Sequence, residues 1–163
     1  MIHPYYIYSL LALPLLIGIS EVSWGYYSGS SILTHLTFHF AHASVWHLAG
    51  NALCFYVITR KGANWKELCV SLLLATLCSF IAPHKLPTIG LSGLIFALYG
   101  IRLTRLNNLS TRFLIQTLLV LILPGLTGKV NVWLHISCLV SGYACAYLRH
   151  QLSQIMSDAK HYY

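Results

Sequence analysis

Four polar side chains have the types and spacing that acyl-transfer chemistry needs. Ser92 lies in the glycine-flanked segment Gly90–Gly93, and His135 is a candidate base farther along the chain. A serine hydroxyl is a weak nucleophile until a base removes its proton, and histidine is the natural base near neutral pH. His47 and Asn51 lie four residues apart and would share one helix face. Their N–H groups, with the Ser92 backbone N–H, could stabilise a developing oxyanion.

Carboxylates are almost absent from the chain, and this limits the mechanism. The 163 residues include three acidic ones, Glu21, Glu67 and Asp158, each near the edge of an apolar run. No carboxylate is left to complete a triad or to form the acid pair of a glycosidase. The zinc-protease pattern HExxH is also missing. A dyad of Ser92 and His135 is the remaining arrangement.

The composition excludes a water-soluble enzyme or a disordered binding protein. Apolar residues make up 57% of the chain and charged residues only 8%, against roughly 25% charged residues in ordinary soluble domains. So few charges could not cover a soluble surface. The net charge of +7 could suggest a nucleic-acid partner. The lysines and arginines are dispersed between apolar runs and form no basic stripe, so we expect no nucleic acid.

The elements that position the four side chains are predicted to be membrane-spanning helices. Charge-poor stretches recur along the chain, several of them at the short end of the ~17–25 residues that cross a bilayer. They predict an all-α membrane protein, a six-transmembrane-helix bundle that forms a single domain over residues 1–163. The predicted spans are residues 5–20, 43–59, 67–82, 90–106, 112–126 and 131–148.

The basic residues predict the orientation of these spans. Eight of the ten lysines and arginines fall on one side of the predicted bundle: Arg60, Lys61, Lys66, Arg102, Arg105, Arg112, Arg149 and Lys160. The positive-inside rule then places both termini in the cytoplasm. Spans two, four and six therefore begin at the outer face. Ser92, His135, His47 and Asn51 all fall within roughly one to three helical turns of that face.

Small residues line one face of span four and one face of span six. Faces of this kind let two membrane helices approach closely, and a contact between these two would bring Ser92 towards His135. Helix packing alone would also account for the pattern. The two faces are Gly93, Ala97 and Gly100 on span four and Cys138, Gly142 and Ala146 on span six.

Three ordered motifs make the chain resemble the rhomboid intramembrane serine proteases. Residues 42–51 read His-Ala-Ser-Val-Trp-His-Leu-Ala-Gly-Asn, similar to the family pattern HxSxxHxxxN. Residues 90–93 match its GxSG pattern, and Gly142 follows His135 by seven residues. The resemblance implies that Ser92 is the nucleophile and His135 the general base, with His47 and Asn51 beside the oxyanion. It assigns support to His42, Gly90, Gly93, Phe96 and Gly142.

The resemblance also implies a substrate and a location. Such a protein cleaves single-pass transmembrane proteins near the outer edge of the lipid bilayer, without metal or cofactor. We expect a multi-pass protein of the bacterial inner membrane. The chain departs from the family in three places: it lacks the Trp-Arg pair in its first loop (about residues 21–42), and it has Phe96 where a tyrosine and Cys138 where a glycine are frequent. None of these removes a catalytic group.

Two other functions remain open. A non-catalytic rhomboid-like protein that binds or escorts membrane proteins would be expected to lack the serine or the histidine. A haem or metal protein could use the chain's many histidines, and a haem would need two of them facing each other across spans. His35, His39 and His42 have a spacing that would stack them on one side of a helix, where they could bind a metal ion. No cysteine or carboxylate accompanies them, so hydrogen bonding or interfacial solvation is favoured, with His42 supporting the first loop.

The cysteines predict buried thiols rather than disulfides. All five fall within predicted spans, and no pair has CxxC spacing: Cys54, Cys69, Cys78, Cys138 and Cys145. Cysteine inside an apolar helix behaves as a small hydrophobic residue.

Overall fold

The computed structural model of the chain describes residues 22–60, 62, 64–82, 84–105 and 130–160. Within these ranges the chain is helical, with no strand beyond an isolated antiparallel bridge between Tyr26 and Thr88. The prediction of an all-α fold is therefore confirmed. After a 3-10 turn at Val22–Trp24 come α1 (Thr34–Thr37), α2 (Val45–Thr59), α3 (Trp65–Ile81), α4 (Ser92–Leu103) and α5 (Val132–Lys160).

Four of the six predicted spans overlap helices α2 to α5, with different bounds. Helix α4 begins at Ser92 rather than at residue 90, because Gly90 has a φ of +114°, outside the helical region. Helix α5 continues past residue 148 as far as Lys160. The predicted spans 5–20 and 112–126 lie outside the described residues. Among the helices that the structure describes, none is both long enough and apolar enough to cross a membrane.

Side-chain caps determine where α2 and α3 begin. Ser44 has an extended backbone, and its side chain accepts a hydrogen bond from the His47 backbone N–H at 3.1 Å. At the start of α3 the Asn64 side chain accepts from the Glu67 N–H at 2.9 Å and donates to the Glu67 carboxylate at 3.1 Å. Such caps satisfy backbone N–H groups that have no partner in the first turn of a helix. The cap at Ser44 makes His47 the third residue of α2.

Helices α4 and α5 lie side by side, run parallel and touch through their backbones. A Cβ atom on Gly142 would collide with the Ala97 carbonyl group, and one on Gly100 with the Leu139 carbonyl oxygen. Ala97, Leu98, Leu134 and Cys138 are fully buried around this contact. The close contact that the small residues predicted is therefore present, and it depends on glycine at two positions.

A buried carboxylate ties the opposite end of the bundle together. Glu67, at the start of α3, is 4% exposed and pairs with Arg102, near the end of α4, and with Arg105, just after it. The Arg102 guanidinium also donates to the Ile58 and Gly62 carbonyl oxygens, at the end of α2 and just after it. The loop after α2 and the basic end of α4 thus lie at the same end of the bundle, far from Ser92.

The first loop docks on α3 through two of its histidines. His35 Nδ1 lies 2.7 Å from Ser79 Oγ, and His39 Nε2 lies 3.1 Å from Thr76 Oγ1. Both rings are buried. Helix α1 ends at Thr37, so the three loop histidines do not share the face of a continuous helix. In the part of the chain that the structure describes, no three His, Cys, Asp or Glu side chains are arranged to hold a metal ion.

The α4–α5 contact predicts unequal effects of two glycine-to-alanine substitutions. Gly142→Ala should lower the free energy of unfolding by about 1–3 kcal/mol, because the Ala97 carbonyl group already occupies the position that the new methyl group would take. Gly50→Ala, in the exposed part of α2 with nothing within 4 Å, is the matched control. It should be neutral or stabilising by up to about 1 kcal/mol, because alanine favours the helix. Denaturant or thermal unfolding in micelles measures both, and equal losses would contradict the close contact.

The buried His39 predicts a loss of stability on acidification. Its ring is 1% exposed, and burial lowers its pKa to about 3, whereas an unfolded histidine has a pKa of about 6.5. Below pH 6.5 the unfolded chain gains a proton that the folded chain does not accept until about pH 3. His39 should therefore remove about 2 kcal/mol of unfolding free energy between about pH 7 and pH 5.

His39→Gln tests this assignment, because glutamine retains a polar group that can reach Thr76 and has no proton to gain. Its unfolding free energy should depend less steeply on pH than that of the unsubstituted protein. The exposed His150 provides the control substitution, His150→Gln, which should leave the slope unchanged. A slope unchanged in His39→Gln would show that another group carries the pH dependence.

Candidate active site

Ser92 and His135 lie within hydrogen-bonding distance of each other. Ser92 is the first residue of α4, His135 is the fourth residue of α5, and His135 Nε2 lies 2.9 Å from Ser92 Oγ. When the proton of the imidazole is on Nδ1, Nε2 accepts a hydrogen bond from the serine hydroxyl. The pair therefore has the geometry in which a base can remove the serine proton.

The imidazole of His135 is held by an aromatic ring and by its burial. Phe96 lies one turn after Ser92 on α4, and its ring stacks on His135 at 4.5 Å between centroids and 25° between planes. His135 is 6% exposed, and its Nδ1 has no hydrogen-bond partner among the described residues. A phenylalanine at this position holds the imidazole by ring contact alone, without a hydroxyl group.

The two glycines beside Ser92 differ in what their positions require. A Cβ atom on Gly93 would lie 3.4 Å from a Leu134 methyl carbon and 3.6 Å from Cys138 Sγ, which is ordinary van der Waals contact. At Gly90 the φ of +114° already favours glycine, and a Cβ atom would lie 2.7 Å from His47 Cε1. Gly90 is therefore required by the backbone and by its neighbours, whereas Gly93 has room for a methyl group.

His47 and Asn51 converge on the backbone that leads to Ser92. A Cβ atom on Gly90 would lie 2.9 Å from His47 Nε2 and 3.1 Å from Asn51 Nδ2. The Ala43 backbone N–H donates to His47 Nδ1 at 3.3 Å, so in the neutral imidazole the proton is on Nε2. Asn51 is buried, and its Nδ2 has no hydrogen-bond partner among the described residues. Two N–H donors thus approach the same point of the backbone.

The position of His42 corrects one expectation. His42 is 1% exposed, and neither ring nitrogen has a hydrogen-bond partner of good geometry among the described residues. It therefore does not support the first loop by hydrogen bonding. Its ring packs edge-on against His47, with centroids 5.2 Å apart. Burial and the neighbouring His47 lower the pKa of His42 to about 4, against a small opposite effect of the Phe40 backbone. The neutral ring of His42 therefore contributes by packing against the ring of His47.

The sequence analysis assigned no role to two residues near the site. Ser44 caps α2 and thereby places His47. Asn131 caps α5, where its Oδ1 accepts a hydrogen bond from the Leu134 N–H at 3.1 Å. The available signal was the preference for serine and asparagine directly before an apolar helix.

The backbone at Gly90 predicts that an added methyl group will disturb the site. Gly29→Ala is the matched control, because Gly29 also has a positive φ, +87°, but has nothing within 4 Å. Both substitutions carry the cost of a positive φ, and Gly90→Ala must also displace His47 or Asn51. We expect Gly90→Ala to lower the free energy of unfolding by about 1–3 kcal/mol more than Gly29→Ala. Equal losses would mean that the contact with His47 does not constrain this position.

Comparison with known proteins identifies the family. Residues 29–152, about three quarters of the chain, match the family model of the rhomboid domain. The match includes Ser92, His135, His47 and Asn51. No curated protein matches the chain at a significant level. The chain therefore belongs to the rhomboid family of integral membrane proteins.

Proposed function

We propose that this protein is an intramembrane serine endopeptidase that cleaves single-pass transmembrane proteins near the outer face of the bilayer. The observation that carries the proposal is the 2.9 Å separation of Ser92 Oγ and His135 Nε2. A nucleophile and a base at this distance, without a described carboxylate beside the base, correspond to a serine–histidine dyad.

In the proposed mechanism His135 transfers one proton in each half of the reaction. Its Nε2 takes the Ser92 proton as Oγ attacks the carbonyl carbon of the scissile peptide bond. The resulting imidazolium donates that proton to the leaving amine as the C–N bond breaks, which leaves an acyl-enzyme. His135 then takes a proton from the water that attacks the ester carbonyl carbon, and returns it to Ser92 Oγ as the C–O bond breaks, which releases the carboxylic acid product and restores Ser92. The stacked Phe96 ring keeps the imidazole in place through both halves.

Three N–H groups are proposed to stabilise the oxyanion. They are His47 Nε2–H, Asn51 Nδ2–H and the backbone N–H of Ser92, which is in the first turn of α4 and has no partner within that helix. The approach of the first two to Gly90 and the unpartnered Asn51 amide support this assignment. Donors that are already oriented stabilise charge in the transition state without further reorganisation.

For the membrane arrangement we propose six spans in a single domain with both termini in the cytoplasm, in a bacterial inner membrane. The described helices α2 to α5 would correspond to spans two, three, four and six. The basic side chains Arg102 and Arg105 lie at the end of the bundle opposite Ser92, and this supports a site near the outer face. The proposed substrates are transmembrane proteins, and the proposed chemistry uses neither metal nor cofactor.

Cleavage by the purified protein in liposomes tests the dyad. Ser92→Ala and His135→Ala should each lower the cleavage rate of a single-pass transmembrane substrate by at least about 10³-fold, because each removes one partner of the proton transfer. Both substitutions should also abolish labelling of Ser92 by a fluorophosphonate, because the reagent needs the serine and the base that activates it. Ser153→Ala and His150→Ala remove the same side-chain types from the exposed end of α5 and should cleave normally.

Outcomes in this assay separate the possible functions. Asn51→Ala should slow cleavage by about 10²–10³-fold with little change in KM if its amide binds the oxyanion. Undiminished cleavage by both dyad variants would exclude the proposed mechanism. A wild-type protein that binds the substrate without cleaving it would instead support a non-catalytic binding or escort function.

A further inference from the structure

Asn131 is a buried polar residue that the proposed mechanism does not use. It lies directly before α5, one turn from His135, and is 3% exposed. Its side chain makes contacts in two directions. Oδ1 accepts a hydrogen bond from the Leu134 backbone N–H at 3.1 Å. Nδ2 lies 2.9 Å from Tyr26 Oη, 2.9 Å from the Ala82 carbonyl oxygen and 3.3 Å from Thr88 Oγ1.

Two of the three oxygen atoms near Asn131 Nδ2, those of Ala82 and Thr88, belong to the segment between α3 and Ser92, and the third, Tyr26 Oη, belongs to the first loop. Thr88 lies four residues before Ser92 and forms a backbone bridge with Tyr26, through N–O distances of 2.8 and 3.2 Å. Ala82 directly follows α3, and Tyr26 Oη donates to its carbonyl oxygen at 3.2 Å. The Asn131 amide therefore connects the helix that carries His135 with the chain segment that places Ser92.

Each half of the amide constrains a different partner of the dyad. The cap at Leu134 determines the first turn of α5, and so the direction in which His135 leaves the helix. The NH₂ group holds the Tyr26–Thr88 bridge against the end of that helix. Both halves are shielded from water, which makes each hydrogen bond costly to lose. A primary amide supplies an acceptor and two donors in one rigid plane, and no other neutral side chain except glutamine does so.

We infer that Asn131 is a positioning residue for the dyad: it holds Ser92 Oγ and His135 Nε2 at their 2.9 Å separation. The predicted effect of Asn131 on the cleavage rate rests on the proposed function. Its predicted effect on the separation of Ser92 and His135 does not. Asn131 does not contact Ser92 or His135 through its side chain, and it acts through the first turn of α5 and through Thr88.

Two substitutions separate the halves of the amide, and a third provides the control. Asn131→Asp retains the acceptor for Leu134 and replaces the donors with an oxygen that faces three other oxygens. Tyr26→Phe removes one acceptor and leaves α5 untouched. Asn64→Ala removes the same type of cap from α3, at the end of the bundle far from Ser92. It should lower the melting temperature without changing kcat per folded molecule.

The expected result is a loss of rate in the folded protein rather than a loss of folded protein alone. Asn131→Asp should lower kcat at least tenfold with little change in KM, and Tyr26→Phe should lower it by a smaller factor. The pH dependence of fluorophosphonate labelling at Ser92 should also shift in Asn131→Asp. If Asn131→Asp and Tyr26→Phe lowered only the melting temperature, as Asn64→Ala is expected to do, the positioning role would be excluded.

A structure of the Asn131→Asp protein provides a test that needs no activity. We expect the separation of Ser92 Oγ and His135 Nε2 to increase beyond hydrogen-bonding distance. An unchanged separation would overturn the inference, whatever the cleavage assay shows. A wild-type protein that neither cleaves nor labels would count against the proposed function alone, because this distance would still decide the role of Asn131.

Discussion

The arrangement of the site depends on one contact, the direct meeting of the α4 and α5 backbones. Only hydrogen atoms fit at Gly100 and Gly142, so no side chain separates the two helices at these points. Because the helices run parallel, their first turns lie at the same level, with Ser92 on one and His135 on the other. A larger spacing between the helices would carry the two side chains apart. Gly100 and Gly142, deep in the bundle, thus determine the distance between Ser92 Oγ and His135 Nε2 at its end.

Buried polar side chains determine how the remaining segments are arranged relative to one another. A polar group removed from water costs free energy unless it finds a partner, so each such pair favours one arrangement of the segments that carry it. His35 and His39 join the first loop to α3, Asn131 joins the loop segments to α5, and the Glu67 carboxylate joins α3 to α4. Apolar packing alone would allow these segments to slide past one another.

Patterns along the chain predict the features that depend on local sequence. The overlap of four predicted spans with α2 to α5 follows from apolar runs, and the α4–α5 contact follows from the spacing of small residues. Contacts between distant segments carry no such pattern, and the hydrogen bond from Asn131 to Tyr26 joins residues 105 positions apart. Nor does hydropathy indicate where α5 ends, because polar residues such as Gln151 and Ser153 continue a helix beyond an apolar run. The prediction that His42 supports the first loop by hydrogen bonding was wrong. Neither of its ring nitrogens has a hydrogen-bond partner among the described residues, and its ring packs on His47.

The common direction of α2, α4 and α5 has an electrostatic consequence. His47, Ser92 and His135 lie in the first turns of these helices, so three helix N-termini meet around the site. The peptide dipoles of each helix place a partial positive charge of about half a unit at its N-terminus. Among the residues that the structure describes, the acidic side chains are Glu67 and Asp158, and both lie toward the opposite end of the bundle, where they do not cancel this field. With no described acidic residue close to the site, the backbone itself is a source of positive potential for any negative charge that forms beside Ser92.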